Sequence, residues 1–351
     1  MAYTTIDKSS DYFNTKLYTG DGASSNAITG VGFQPDWVWV KSRNTSDYQH
    51  QVTDVVRGTQ KTLKTDVSNA EDSNPGAGGI GSFDSDGFTI AEGSINNTNM
   101  NNSGTTYVAW NWLAGGSASS NSDGDITSSV SANTIAGFSV VGYTGNGTAG
   151  QTIGHGLGIA PKVIIIKNRS SAFSWEFGHS SIGFTKKLKL DTTSAEITDT
   201  GAFNNTDPAA SVFTVGNNSS SNGSGNNMIA YCFAEKKGYS KFGSYTGNGS
   251  SNGPFVYTGF KPAWVLQKNA SITQGWQLQD NKRLGYNPDN YLLQPHDSAG
   301  ESAVQRIDIV SNGFKVRTTD AGQNGNGNTF IYMAFASEPL VSSAGIPCTA
   351  R

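Results

Sequence analysis

Charged side chains are scarce in this 351-residue chain: Asp, Glu, Lys and Arg make up 15% of it, and the formal net charge is -3. No block of Lys or Arg stands anywhere, so the electrostatic footprint of a nucleic-acid binder is missing and no nucleic-acid partner is expected. Apolar runs are short. None reaches the roughly 18 residues of a transmembrane helix, so no membrane insertion is expected, and "MAYTTIDKSSDYF" at the N-terminus lacks the apolar stretch of a secretory signal. There are two cysteines, Cys232 and Cys348. Without a secretory signal no disulfide is expected between them, and Cys232, inside the apolar run "MIAYCFAEK", reads as a buried free thiol. The four histidines, His50, His155, His179 and His296, are scattered, and none has a second His or Cys at metal-ligand spacing. His179, close to Trp175, reads as a core or interface residue. Helical periodicity is missing too. The best candidates are short, such as "TKKLKL" at 185–190.

What fills the chain instead is Gly, Asn, Ser and Thr, with enough aromatics (Trp 7, Tyr 13, Phe 17) to build cores, so it reads as folded rather than disordered. Its main pattern is a repeat. "YTGDG" at 18–22 and "YTGNG" at 143–147 and 245–249 are followed by "GFQPDWVWVKSR", "GIAPKVIIIKNR" and "GFKPAWVLQKNA". Pro35, Pro161 and Pro262 step by 126 and 101 residues (161−35, 262−161), and Lys41, Lys167 and Lys268 step by the same amounts. "GFTI", "VFTV" and "GFKV" hold nearly that register, with Phe88, Phe213 and Phe314 stepping by 125 and 101 (213−88, 314−213). "YVAWNW", "MIAYCF" and "IYMAF" close each unit and align Ala109, Ala230 and Ala334. Trp175 and Trp276 also match, with Tyr48 near the equivalent place in the first unit. The chain therefore reads as tandem units at 1–116, 135–236 and 237–338, a flexible linker at 117–134 ("AGGSASSNSDGD" at 114–125 leads into it) and a C-terminal tail at 339–351.

"DWVWVK" alternates between two faces, and "KVIIIK" is apolar throughout, as in a strand covered on both sides. Short β-branched and aromatic runs separated by Gly/Asn/Ser turns argue an all-β fold: three tandem β-sandwiches of jelly-roll or concanavalin-like type. The "YTGNG" turn reads as a tight hairpin after the first strand of each unit, with Asn-Gly supplying positive φ angles.

Several motifs match chemistry only formally. "GNGTAG" at 145–150 fits GxGxxG, but "QTIGHGLGIAP" follows it where a dinucleotide site needs a helix. "GSSNG" at 249–253 fits GxSxG around Ser251 without the strand–turn–helix of a nucleophile elbow. "DSDG" at 84–87 and "NSDGD" at 121–125 share the acidic spacing of calcium loops but lack the full set with its closing Glu. They read as β-turns, with calcium kept as the alternative; otherwise no cofactor and no metal is expected. The sequons at Asn44 and Asn168 are compositional. The tryptophans lie in predicted strands and read as core. Trp110 and Trp112 share one face, and Tyr231 and Phe233 keep those positions aromatic in the second unit.

The polar loop before each last strand is the best binding candidate: "EGSINNTNMNNSGTT", "GNNSSSNGSGNN" and "DAGQNGNGN" occupy one topological place. Loops on a rigid β scaffold are where binding concentrates. Their short amides suit sugar hydroxyls, which nominates Asn101, Asn102, Asn222, Asn226, Asn227, Asn324 and Asn326.

Taken together, "MAYTTIDKSSDYFNTKLYTGDG", "GFQPDWVWVKSR", "DVVRGTQKTL", "SFDSDGFTI" and "YVAWNWLAGG" make the chain resemble a family of tailed-phage virion proteins, frequent in phages of marine bacteria and often described as tail-fibre or structural proteins. The resemblance spans essentially the whole chain. It implies a lectin-like sandwich fold, a location on the exterior of the virion, other virion proteins as partners and no catalytic residues. Two functions follow from it: a tail-fibre or adhesin module for a host cell-surface glycan, and a capsid or tail decoration or scaffold protein. By analogy with phage fibres a homo-oligomer is expected, with a trimer as the guess. Heptads, β-helix repeats and collagen triplets are all missing, so a globular knob is expected rather than a shaft.

Overall fold

The computed structural model describes residues 4–73, 78–92, 99–284, 286–287 and 291–337. The chain is all-β, built from antiparallel sheets with three single-turn α-helices and one 3-10 turn among the described residues. The tail at 339–351, with Cys348, lies outside the described residues.

The first segment contributes β1 (Phe13–Thr19), β2 (Ser25–Thr29), β3 (Trp37–Ser42), β4 (Gln51–Asp54), β5 (Leu63–Lys64), β6 (Gly79–Asp84), β7 (Gly87–Ala91) and β8 (Thr106–Trp112). They form a sheet in the order β1-β8-β3-β4-β5 and a second in the order β2-β7-β6. The second segment adds β9 (Ser119–Asn121), β10 (Ser128–Asn133), β11 (Phe138–Thr144), β12 (Gln151–Gly154), β13 (Val163–Asn168), β14 (Glu176–His179), β15 (Lys186–Lys189), β16 (Ile197–Thr198), β17 (Val212–Val215) and β18 (Asn227–Phe233). Its sheets run β16-β15-β14-β13-β18-β11-β10-β9 and β12-β17. The third adds β19 (Ser240–Thr246), β20 (Phe255–Tyr257), β21 (Pro262–Asn269), β22 (Gln277–Asp280), β23 (Tyr291–Leu292), β24 (Ser302–Ala303), β25 (Ile307–Val310), β26 (Gly313–Val316) and β27 (Thr329–Ala336), in sheets β19-β27-β21-β22, β20-β26-β25 and β23-β24. One motif recurs three times: the segment's "YTG" strand pairs with its last strand, which pairs with the strand after the proline.

That central strand explains its own sequence. Trp37, Trp39 and Lys41 point to one face of β3, and Val38, Val40 and Ser42 to the other, and all six are buried. Val38 and Val40 pack with Ile28, Phe88 and Ile90 between the two sheets of the segment. Trp37 and Trp39 belong to a larger core that draws on all three segments. Within it Trp37 stacks on Tyr231 at 4.6 Å, Trp112 meets Trp264 at 5.6 Å and Phe233 meets Phe335 at 6.0 Å. Every tryptophan of the chain is buried there.

The hydrogen bonds between segments close a ring. The Glu71 amide donates to the Arg169 carbonyl (2.9 Å), the Glu196 amide to Ala270 (2.8 Å) and the Glu301 amide to Arg43 (2.7 Å). Trp175 Nε1 donates to the Lys64 carbonyl at 2.8 Å and Trp276 Nε1 to Lys189 at 2.9 Å. At the third junction the residue in their place is His50, whose Nε2 faces the Gln294 backbone without closing a full hydrogen bond. Each segment thus grips the one before it, and the first grips the third.

Five sequence expectations change. Residues 117–134 are not a flexible linker: β9 and β10 continue the large sheet of the second segment, with Ser128–Asn133 paired to Phe138–Thr144. Their Ser/Gly-rich composition hid a strand because Val130 is the one large apolar side chain that Ser128–Asn133 buries, beside the small Ser128 and Ser131. "TKKLKL" holds a strand, β15, since Leu188 is needed in the core opposite Phe177. "YTGNG" is not a hairpin: β11 pairs with β18 and β12 with β17, so the turn is an arch between two sheets. Pairing also re-registers two landmarks. Lys16 faces Ala109 and Val141 faces Ala230, but Gly243 faces Tyr332, so Tyr332 and not Ala334 is the third equivalent. His50, not Tyr48, stands four residues before Asp54 as Trp175 and Trp276 stand before His179 and Asp280, the ends of β4, β14 and β22.

Candidate functional site

Each arch is held by a clamp supplied by the polar loop that precedes the last strand. In the second segment Asn222 Oδ1 accepts the Asn146 amide at 2.9 Å, and its Nδ2 donates to the carbonyls of Thr148 and Gly216, both at 2.8 Å. In the third, Asn324 Oδ1 accepts the Asn248 amide at 2.9 Å, and Nδ2 donates to Ser250 (2.6 Å) and Thr318 (2.7 Å). In the first, Asn101 Oδ1 accepts the Asp21 amide at 3.1 Å, and Nδ2 donates to Asp21 Oδ1 and the Ala23 carbonyl. A tyrosine completes each clamp: the hydroxyls of Tyr18, Tyr143 and Tyr245 donate to the carbonyls of Met100, Ser221 and Gln323.

The turn chemistry follows from this. Only the glycine of each Asn-Gly or Asp-Gly pair is left-handed (Gly22 φ 73°, Gly147 φ 75°, Gly249 φ 67°). The Asp or Asn side chain instead caps the amide two residues on, as at Thr148 (2.9 Å) and Ser250 (3.0 Å), an Asx turn. The preceding glycine is steric: a Cβ on Gly145 would lie 2.5 Å from the Gly223 carbonyl oxygen.

The seven asparagines therefore divide. Asn101, Asn222 and Asn324 are buried at 2%, 0% and 0% exposure, with their amides consumed by the clamp. They are corrected here from ligand contacts to scaffold, because an amide satisfied on both ends and sealed from solvent has nothing left for a ligand. Asn102 and Asn226 are half-buried, and Asn227 and Asn326 are exposed. These four stand at or beside loop tips that turn on left-handed Gly104, Gly225 and Gly327. The signal that separates the groups was in the sequence: each clamp Asn lies three residues before its tip glycine, in "NNSG", "NGSG" and "NGNG".

The tips stand at the end of the large sheets where the repeat lysines lie. Lys41, Lys167 and Lys268 are fully buried. Each donates to the carbonyl of the residue after it, and Lys167 and Lys268 also reach the neighbouring segment at the carbonyls of Ser68 (3.2 Å) and Thr193 (3.4 Å). Burial pulls all three down to about 8. Because equivalent contacts repeat cyclically, equivalent points sit at one height along the ring's axis, and the three tips share one end.

Two junctions hold buried ion networks. Asp54 Oδ2 accepts the Arg57 Nε and the Tyr231 hydroxyl (2.8 Å), and Arg57 reaches Glu71, which also pairs with Arg169. Asp280 Oδ2 accepts Arg283 Nε (2.7 Å) and Trp110 Nε1 (3.0 Å), and Glu301 pairs with Arg43 and Arg283. At the junction between the second and third segments the same places carry His179, Ile182 and Ala270, and Glu196 turns to Lys186 of its own segment. His179 Nδ1 accepts the Ser181 amide (3.0 Å), which leaves Nε2 to donate to the Tyr332 carbonyl (3.2 Å). Burial lowers its pKa to about 4.

The calcium alternative finds no cluster: among the described residues no three His, Cys, Asp or Glu are placed to hold a metal. "DSDG" is the two-residue turn between β6 and β7, and Asp125 of "NSDGD" accepts both the amide and the hydroxyl of Thr152. Cys232 is a buried free thiol. The tips offer amides, hydroxyls and backbone groups, a hydrogen-bonding surface.

No curated protein and no solved structure matches the chain. The chain belongs to the family described as "Domain of unknown function (DUF7483)", whose profile matches residues 8–339.

Proposed function

We propose that this chain is a non-enzymatic virion protein, a tail-fibre or adhesin-type knob that recognises a host-surface glycan through the tips of its three clamped loops. We read its segments as three tandem jelly-roll-type sandwiches closed around one core. The observation that carries the reading is the triplicate clamp. Three buried asparagines, each with a tyrosine hydroxyl beside it, fix three glycine-turned tips, bearing Asn102, Asn226, Asn227 and Asn326, on one end of a rigid β scaffold. A pre-ordered polar tip loses little entropy on binding, and three of them on one chain multiply a weak contact through avidity.

The test is adhesion of the purified protein to cells of the host bacterium. Asn226→Ala with Asn227→Ala and Asn326→Ala should cut binding without lowering thermal stability. Undiminished adhesion sinks the reading. A decoration or scaffold role is the second reading, favoured by the cyclic closure of the three segments, which gives one chain the threefold character to sit on a threefold site. In that reading the single chain stands where a homotrimer was expected. Many copies spread over the capsid would establish decoration, and a few at the tail tip would establish the knob.

A further inference from the structure

We infer that the third segment carries a separate carbohydrate-stacking site on the outer face of its small sheet, formed by Phe255 and Tyr257. The two are 47% and 62% exposed and flank Val256, which turns inward onto Phe314. They project from the same side of β20 about 7 Å apart along the strand, far enough for two ring faces and near enough for one oligosaccharide to span both. Phe255 lies against Gly313, where a Cβ would come within 3.1 Å of its ring.

The internal repeat shows that the fold does not require these aromatics. In the first segment Ala27 and Thr29 hold the two outward positions around Ile28, which faces Phe88. In the second, Thr152 and Gly154 hold them around Ile153, which faces Phe213. There the chain itself covers the face: Asn121 fills the space beside Gly154, and Ser128 Oγ donates to its carbonyl. Only the third copy has large apolar rings here, and they are open.

The chemistry of the surroundings selects the occupant. Two partly exposed rings offer on the order of 200 Å² of apolar surface, far below the roughly 800 Å² per partner of a stable protein interface. A pyranose needs less. Its C–H face carries partial positive charge that suits the negative face of an aromatic ring, and its edge hydroxyls need polar partners. Lys315 pairs across from Phe255, with Asp308 beyond it in ion pair with Arg317 at 3.3 Å. The inference deepens the glycan reading by ligand class but uses a different surface, so each can fail alone.

The test uses the full chain and neutral hexasaccharides of glucose, N-acetylglucosamine, mannose and galactose, followed by saturation-transfer NMR and titration. At least one should bind, with saturation of the protein's aromatic protons passing to the sugar's C–H protons. Phe255→Ala with Tyr257→Thr, which installs the first segment's own residue types, should keep the fold and weaken binding by about tenfold per ring. Ile135→Thr, at an exposed apolar position of the second segment, should leave it unchanged. Failure of every probe to bind at millimolar concentration overturns the inference, as does equal binding by the aromatic double variant. Self-association of the wild type that this variant abolishes would assign the face to a second copy and overturn it too.

Discussion

Replacing Asn222 by alanine separates a clamp from a ligand contact within one loop. The side chain makes three hydrogen bonds of 2.8–2.9 Å while fully buried. Each is worth about 0.5–1.5 kcal/mol net. Truncation also strands the Gly216 carbonyl, whose residue is buried, and an unsatisfied buried polar group costs about 1–3 kcal/mol. These costs overlap, so the expected loss is about 3 kcal/mol. At about 2–4 °C per kcal/mol for a domain of 150–250 residues, the melting temperature should fall by several degrees. Asn226→Ala with Asn227→Ala, four and five residues away, removes side chains that are half-buried and exposed and should stay within about 0.5 kcal/mol. Differential scanning calorimetry on the three proteins is the assay, with urea unfolding for the free energy. If Asn222→Ala melts with the wild type, the clamp is not holding the arch. If the tip variant melts as early as the clamp variant, the division of the loop into scaffold and tip is wrong.

Other consequences follow from the junctions. Asp280→Ala leaves the buried Arg283 only a 3.6 Å carboxylate contact with Glu301, strands the Trp110 indole N–H in the core and should cost about 3–5 kcal/mol, whereas Asp280→His with Arg283→Ile, copying His179 and Ile182, should cost less by urea unfolding; equal losses would refute the network. His179 has a folded pKa of about 4 against an ordinary 6.5, so between those values the unfolded chain binds the extra proton and stability drains as pH falls. Relative to His179→Gln, the wild type should lose about 1.4 kcal/mol per pH unit across that window, and parallel stability profiles would contradict the neutral, donor assignment. Lys268 sits at about 8 against 10.5, again with the unfolded state binding more protons, so stability should rise as pH climbs from 8 to 9.5. Lys268→Met should remove about a third of that rise, since three lysines share it, and a rise left whole would show that Lys268 is not the group responsible. Burial pushes the Cys232 thiol far up, so in a Cys348→Ser background a thiol reagent at pH 8 should react only on unfolding; rapid labelling of the native protein would contradict the burial.

The candidate site was legible in part. Its loops were found because polar runs before a last strand recur at one place in the repeat, and loop composition is a local property. The split between Asn222 and Asn226 was missed because both are small polar residues in one Gly/Ser/Asn stretch, and only the arch folding back decides which amide is sealed. Phe255 and Tyr257 escaped notice for the converse reason. In "GPFVYTGF" they look like any alternating strand, and their exposure depends on the face to which Val256 turns.

Alternation, turn residues and apolar bulk act over a few residues, so the β-strand character, the threefold repeat and the burial of the tryptophans could be read from residue order. The remainder rests on which distant strands meet. Whether "YTGNG" is a hairpin or an arch depends on which sheet its two flanking strands join. Whether Ser119–Asn121 and Ser128–Asn133 form a linker or sheet edge depends on the free edge of Phe138–Thr144. That the segments close in a ring rests on contacts such as Arg43 to Glu301, 258 residues apart, and no local pattern encodes a pairing whose partners meet only after both have folded.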